Sequence, residues 1–243
     1  MIPPVDQLVP PADFVGFDPS AALRIYERNL PYWSQSGASY FITFRLNDSL
    51  PYRSIDQYLR EQEAWRVRIH YEREQLGALA EETGKEYEAF QLRAYRSFET
   101  ILDAGHGSCV FKDPIQRQIV TDTLLQYHGD LYQGHSFVIM PNHIHLVVRP
   151  SNGQNPETLL LLWMRSISQS MGQNVQLKGG FWHGDTWIRI IRNEEHWLRA
   201  MRYTLRNPER AKLPHGQSTV WWDPGLFDLT RSLMREDGYE EPW

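Results

Sequence analysis

An α+β sandwich built on an antiparallel sheet is the fold this sequence predicts, and three observations predict it. Residues 134–140 and 143–148 are two strand-like runs separated only by the turn dipeptide Pro141-Asn142, so they pair as neighbouring strands. The run SYFITFRL at 39–46 alternates Tyr40, Ile42, Phe44 and Leu46 against Ser39, Thr43 and Arg45, which is the period of a half-buried strand. Segments of helical character separate these strands, the pattern of helices packed on a mainly antiparallel sheet.

Residues 1–30 hold four prolines in their first eleven positions and no sustained periodicity. They read as an irregular arm lying on or near the body, or as a partly disordered tail. After the first strand, Asn47 to Pro51 gives a turn and helix-start signal, and the segment at about 55–103 is helical and dense in Glu, Arg, Gln and Ala. Between Arg60 and Asp103 it carries seven basic and ten acidic residues, as solvated faces of a helical hairpin do, with Gly77 or Gly84 as the break. SCVF at 108–111 reads as a short strand. Residues 113–127 read as a helix with Pro114 in its first turn and Ile115, Ile119, Val120, Thr123 and Leu124 on one side. A further helix is expected from about Pro156 to Val175. Gly179-Gly180 then precedes a Trp-rich extended stretch, and a last helix is expected over Glu194–Arg206, ended by Pro208.

Composition narrows the class. With 41% hydrophobic and 23% charged residues the chain can bury a substantial core. Cys109 is the single cysteine, which excludes an intrachain disulfide and a thiolate zinc site. No apolar run approaches the roughly 20 residues of a membrane span, and the N-terminus lacks a signal-peptide pattern, so a cytoplasmic protein with no membrane partner is expected. The net charge of -5 argues mildly against a nucleic-acid partner. That average hides a polarity, because between Arg189 and Lys212 seven basic residues face three acidic ones.

The sharpest local feature is Pro141-Asn142-His143-Ile144-His145. On a strand His143 and His145 project from one face, and two imidazoles at that spacing can ligate one divalent cation. The same pair also fits one core histidine and one exposed one. On the last helix Asn193 is a good N-cap, and Trp197, Ala200, Met201, Thr204 and Leu205 form the core stripe. His196, Arg199, Tyr203 and Asn207 gather on another face, with Tyr203 and Asn207 one turn apart. A tyrosine hydroxyl beside an amide oxygen fits a nucleophile next to a metal ligand, and it also fits a half-buried tyrosine before an ordinary Asn-Pro stop. Of the other histidines, His183 lies on the Trp-flanked loop, where it could assist protonation, while His70, His106, His128, His135 and His215 read as surface residues.

Four stretches together, LPYWSQSGASYFITFRLNDSLP, DAGHGSCVF, VIMPNHIHLVVRP and IIRNEEHWLRAMRYTLRNPERAKL, resemble the REP-associated tyrosine transposases, single-tyrosine members of the HUH endonucleases. The resemblance spans about Leu30 to Leu213 in the family's order. It implies a ferredoxin/RRM-like antiparallel sheet with helices packed on it, a domain at 31–213 with the 55–103 stretch as insert, and a C-terminal tail at 214–243. It implies His143, His145 and Asn207 as ligands of Mg²⁺ or Mn²⁺ and Tyr203 as the nucleophile. The implied activity is cleavage and rejoining of hairpin-bearing single-stranded DNA through a 5′-phosphotyrosine link, by a monomer or homodimer. Arg189, Arg192, Arg199, Arg202, Arg206 and His196 are the DNA-contact candidates. The chain departs from the family pattern at Ile188, where relatives carry an aspartate, in WMRSISQS, which lacks a Lys-Ser-aromatic signature, and in the tail WWDPGLF. Two further readings stand beside this one. One is a non-catalytic single-strand binder, with Trp182, Trp187 and Trp197 available for stacking. The other, a histidine-triad-like phosphohydrolase, would need a histidine at position 147, which is Val147.

Overall fold

The computed structural model describes residues 5–26, 32–77, 80–151, 153–172, 177 and 179–227. Strands β1 (Arg24–Tyr26) and β2 (Tyr32–Ser34) pair as a small antiparallel ladder. Five more strands, β3 (Tyr40–Arg45), β4 (Tyr132–Ile139), β5 (His143–Pro150), β6 (Trp187–Ile190) and β7 (Thr219–Trp222), form one antiparallel sheet in the order β6-β3-β5-β4-β7. The helices are α1 (Tyr52–Leu76), α2 (Glu81–Asp103), α3 (Pro114–Leu125), α4 (Pro156–Met171) and α5 (Glu194–Arg210). Without β7, and with α1 and α2 as an insertion, the sheet strands with α3 and α4 make a β-α-β-β-α-β unit of ferredoxin-like order. The α+β class and the antiparallel sheet are therefore as the sequence predicts.

Register assigns the two faces. Ile42 stands opposite Leu146 and Thr43 opposite His145. Tyr40, Ile42, Phe44, Ile144, Leu146 and Val148 therefore line one face, where they pack with Val120 and Leu124 of α3 and Leu159, Trp163 and Ile167 of α4. Phe41 and Val147 line the other face and pack with Trp197, Ala200, Met201 and Leu205 of α5. All six β3 residues are buried, not half-buried as their alternation suggests, because helices cover both faces. Thr43, Arg45, His143 and His145 lie on the α5 side.

Gly77 ends α1 in the left-handed conformation (φ 72°) and Gly84 continues α2, so the hairpin breaks at the first of the two glycines. Asn155 caps α4, which ends at Met171, four residues short of the expected Val175, because the chain turns out of the helix at Gly172 (φ 66°). The described part of the N-terminal arm lies on the body, with Leu8 buried and bridged to Phe227 and the Phe17 amide donating to the Ile191 carbonyl. Residues 1–4 and 27–30 of that arm, and 228–243 of the tail, lie outside the described residues.

Several local expectations are corrected. SCVF is not a strand: Cys109 takes a left-handed φ of 50° and Val110–Lys112 curl into a 3-10 turn, whose Phe111 amide donates to the Pro141 carbonyl. Ile115 points to solvent at 68% exposure, off the buried side of α3. Pro208 does not end α5, which runs to Arg210; the Ala211 amide closes the last turn on the Asn207 carbonyl. The tail supplies β7, a strand absent from the sequence reading because its Trp-rich edge residues do not alternate in polarity.

His135, expected at the surface, is buried at 1% exposure and accepts a 2.8 Å hydrogen bond at Nδ1 from the Trp197 indole. Burial first, and then the Arg149 charge, push its pKa down to about 4. The unfolded chain binds this proton near pH 6.5 and the folded chain does not, so stability is full above pH 6.5 and falls as pH drops towards 4, by about 3 kcal/mol in all. Urea unfolding at a series of pH values is expected to show this slope, and His135→Gln to flatten it. A parent and variant with parallel pH profiles would contradict the assignment.

Candidate metal and nucleophile site

The Pro141-Asn142 turn starts β5 so that both histidines face α5, and the turn residue also orients the first of them. The Asn142 amide nitrogen donates to the His106 carbonyl at 2.9 Å, leaving its oxygen to face His143 Nδ1 at 2.8 Å. An amide oxygen only accepts, so His143 Nδ1 carries the proton and Nε2 presents a lone pair. Thr43, the β3 residue opposite His145, places its hydroxyl 2.8 Å from His145 Nδ1, which leaves that Nε2 facing inward too. Among the described residues His143 Nε2 is buried without a hydrogen-bond partner, and the buried His145 Nε2 faces a carboxylate.

The third group comes from α2. Its buried positions Tyr95, Glu99 and Leu102 follow helical spacing, so a carboxylate sits on the stripe that faces the sheet. Glu99 Oε2 lies 3.3 Å from His145 Nε2, and ligand atoms of Glu99, His143 and His145 all fall within 4.8 Å of one another. Burial alone would raise the Glu99 carboxyl, but the facing imidazoles and the Tyr203 hydrogen bond outweigh it and hold the group below the usual carboxylate range. Burial, and then the neighbouring His145, depress His143 well below its ordinary value, so its ring is neutral, as ligation requires. Two imidazole nitrogens and one carboxylate oxygen, buried and converging, suit a divalent cation such as Mg²⁺, Mn²⁺ or Zn²⁺.

Tyr203 joins this cluster. Its hydroxyl donates to Glu99 Oε2 and accepts from Arg210 Nη2 at 2.8 Å, while the Arg210 guanidinium lies 4.7 Å from the centre of its ring. Arg210 in turn pairs with Asp103 at 2.7 Å and Glu99 at 3.5 Å. Burial raises the Tyr203 phenol well above its ordinary value, reinforced by the Glu99 charge, so the hydroxyl is the donor towards Glu99. Asp103 is pushed up to about 6, by burial against the attraction of Arg210 and with the repulsion of Glu99.

The expected ligand Asn207 is buried one turn beyond Tyr203, and neither its amide oxygen nor its amide nitrogen has a hydrogen-bond partner among the described residues. His196 is also buried; its amide caps on Asn193 and its Nδ1 accepts from the Arg192 amide. This face of α5 was expected as a separate polar side, and the end of α2 covers it instead. Arg189 and Arg192 approach Glu88 of α2 at 4.0 and 3.0 Å, and Arg199 and Arg206 pair with Glu195 and Glu209 at 2.8 and 3.3 Å. Arg199, Arg202 and Arg206, spaced for one side of the helix, are all half-buried. The sequence reading missed Glu99, Arg210, Thr43 and Asn142. Glu99 alone left a signal, a single acid on the apolar spacing of Tyr95 and Leu102.

No helix among the described residues is long and apolar enough to cross a membrane. No protein-family model matches the chain, and neither does any curated protein sequence. Among solved structures the chain is similar to a REP-associated tyrosine transposase bound to a REP hairpin, at 14% identity and a TM-score of 0.39, over 76% of this chain and 72% of that one.

Proposed function

We propose that this protein is a metal-dependent DNA strand-cleaving and rejoining enzyme that acts on hairpin-bearing single-stranded DNA with Tyr203 as nucleophile. The observation that carries the reading is the contact of the Tyr203 hydroxyl with Glu99, the carboxylate that shares a buried cluster with His143 and His145. The MPNH-x-H and R-Y-x-x-x-N-P motifs point the same way and supply the substrate class. Mg²⁺ or Mn²⁺ held by His143, His145 and Glu99, with the Asn207 amide one turn beyond Tyr203 as a further ligand, would neutralise charge developing on a phosphate.

The chain's own groups do the rest. Glu99 orients the Tyr203 hydroxyl, whose proton passes to solvent as the oxygen attacks, and Arg210 donates to the phenolic oxygen and favours its negative form. That oxygen bonds to phosphorus, the bond from phosphorus to the 3′ oxygen breaks, and the 3′ oxygen leaves as a hydroxyl after taking a proton from solvent. The phosphate stays on Tyr203 as a 5′-phosphotyrosine, which conserves the bond energy for rejoining. Tyr203 is only 1% exposed, so a strand reaches it when the end of α2 swings away from α5. The basic side chains of Arg189, Arg192, Arg199 and Arg206 then exchange their carboxylate neighbours for phosphates, and Arg202 joins them on the same side of the helix.

The closed state of Tyr203 also favours a second reading, a binder of single-stranded hairpins that does not cut. Incubating the full chain with Mn²⁺ and hairpin-bearing single-stranded DNA separates the two. The enzyme reading expects an adduct that survives SDS, disappears with EDTA and maps to Tyr203 by mass spectrometry. Binding with no adduct supports the second reading, and an adduct mapped to another residue removes Tyr203 from the role.

A further inference from the structure

The sheet face that holds the two histidines holds three arginines: Arg149 pairs with Asp13, Arg189 approaches Glu88 at 4.0 Å, and the third, Arg45, lies next to the histidines. Arg45 stands opposite His143 in the β3–β5 ladder and is 8% exposed. Among the described residues its side-chain hydrogen bond is a single one, from Nη1 to the Ser49 hydroxyl at 3.2 Å. Ser49 gives its own proton to the Leu46 carbonyl, so it meets Arg45 as a neutral acceptor. No carboxylate of a described residue pairs with Arg45 in contact; Asp185 acts on it only through space. Arg117 makes the comparison. Equally buried at 6% exposure, it spends its donors on Thr219 and on the carbonyls of Phe111, Lys112 and Gly216, which tie α3 to the loops around it.

A guanidinium carries five N–H donors, and a buried cation without a counter-charge is expensive. Burial pulls Arg45 down to about 10, which still leaves it charged near neutral pH. Such a group, set beside a candidate metal cluster, has the charge and the spare donors to hold an anion, and its planar fork matches phosphate oxygens.

We infer that Arg45 is an anion-binding residue that takes a non-bridging phosphate oxygen of the DNA strand at the edge of the His143–His145 cluster. The inference deepens the proposed function and rests on it for the identity of the anion. In this role Arg45 grips the phosphate that Tyr203 attacks and pins it next to the metal ligands. The arginines of α5 hold the strand from outside.

The test is thermal unfolding of the full chain in sodium phosphate against sodium chloride of equal ionic strength, with a parallel Mn²⁺ titration. A ligand that binds only the folded state raises its midpoint. Phosphate is expected to raise the midpoint of the parent and of Tyr203→Phe, and the rise is expected to vanish in Arg45→Gln while the Mn²⁺ response persists. Arg45→Gln in chloride is expected to melt at or above the parent temperature, because an uncompensated buried charge has been removed. Arg45→Lys, which keeps a charge, is expected to retain part of the phosphate response. The inference is overturned if the parent shows no phosphate response, if Arg45→Gln keeps it, or if both variants melt well below the parent, which would make Arg45 a structural staple. Should no DNA adduct form while the phosphate response follows Arg45, the strand-transfer reading falls and the anion site stands. Should the adduct form equally well in Arg45→Gln, the anion site falls alone.

Discussion

Tyr203→Phe is expected to abolish the covalent DNA adduct while leaving Mn²⁺ binding nearly unchanged. The ring remains and still packs edge-on against Phe41 and His145, so the cluster keeps its shape. What disappears is the oxygen assigned to bond to phosphorus; the Tyr95 hydroxyl does not stand in for it, because Tyr95 belongs to α2, the element that must move aside for the strand to enter. The lost hydroxyl also leaves Glu99 and Arg210 each short of one hydrogen bond. A destabilisation of about 1–2 kcal/mol is expected in urea unfolding. An adduct of undiminished yield in the variant would end the assignment of Tyr203 as nucleophile.

Glu99→Ala carries the second large effect, and it falls on metal and fold together. The substitution removes one of three converging ligand atoms, so Mn²⁺ affinity measured by calorimetry is expected to drop by about 100-fold or more. It also opens the buried network in which Glu99 meets His145, Tyr203 and Arg210. Breaking a buried charged network from one side costs about 3–5 kcal/mol. Arg210 retains Asp103 as a partner, which places the expected loss at the lower end of that range. Glu99→Gln separates the two effects, since it keeps the side-chain volume and one acceptor oxygen but not the charge. It is expected to lose metal affinity and to recover most of the stability. Unchanged Mn²⁺ affinity in both variants would leave Glu99 as an anchor of α2 and exclude it from the ligand set.

The histidine pair illustrates how far local pattern reaches. Two imidazoles separated by one residue on a strand must share a face, so their convergence follows from β geometry alone. The same holds for Tyr203 and Asn207, which one turn of helix brings together. Glu99 was out of reach for the opposite reason. It lies 44 residues before His143 in an acid-rich helix, and charge counting assigns such a residue to solvent. Its position depends on how the α1–α2 hairpin docks, a contact between segments distant in sequence. Arg210 counts among the seven basic residues of its segment, but its contact with Tyr203 is hidden by Pro208, a sound local stop signal that takes it off the helix. Tertiary anchors override it here: Asn207 is buried and Arg210 is tied to Asp103 and Glu99, so the last turn survives the missing amide.

By itself the sequence determined strand β3 and the β4–β5 pair, the helical insert, the facing histidines and the tyrosine one turn from an asparagine, since each depends on the spacing of residues near one another in the chain. Only the tertiary structure decided that the acidic insert folds back over α5, lends a carboxylate to the histidines and closes the tyrosine from solvent. That decision belongs to long-range packing: burying the stripe of Tyr95, Glu99 and Leu102 against the open face of the sheet, where Glu99 meets two imidazoles, a phenol and a guanidinium that offset its desolvation.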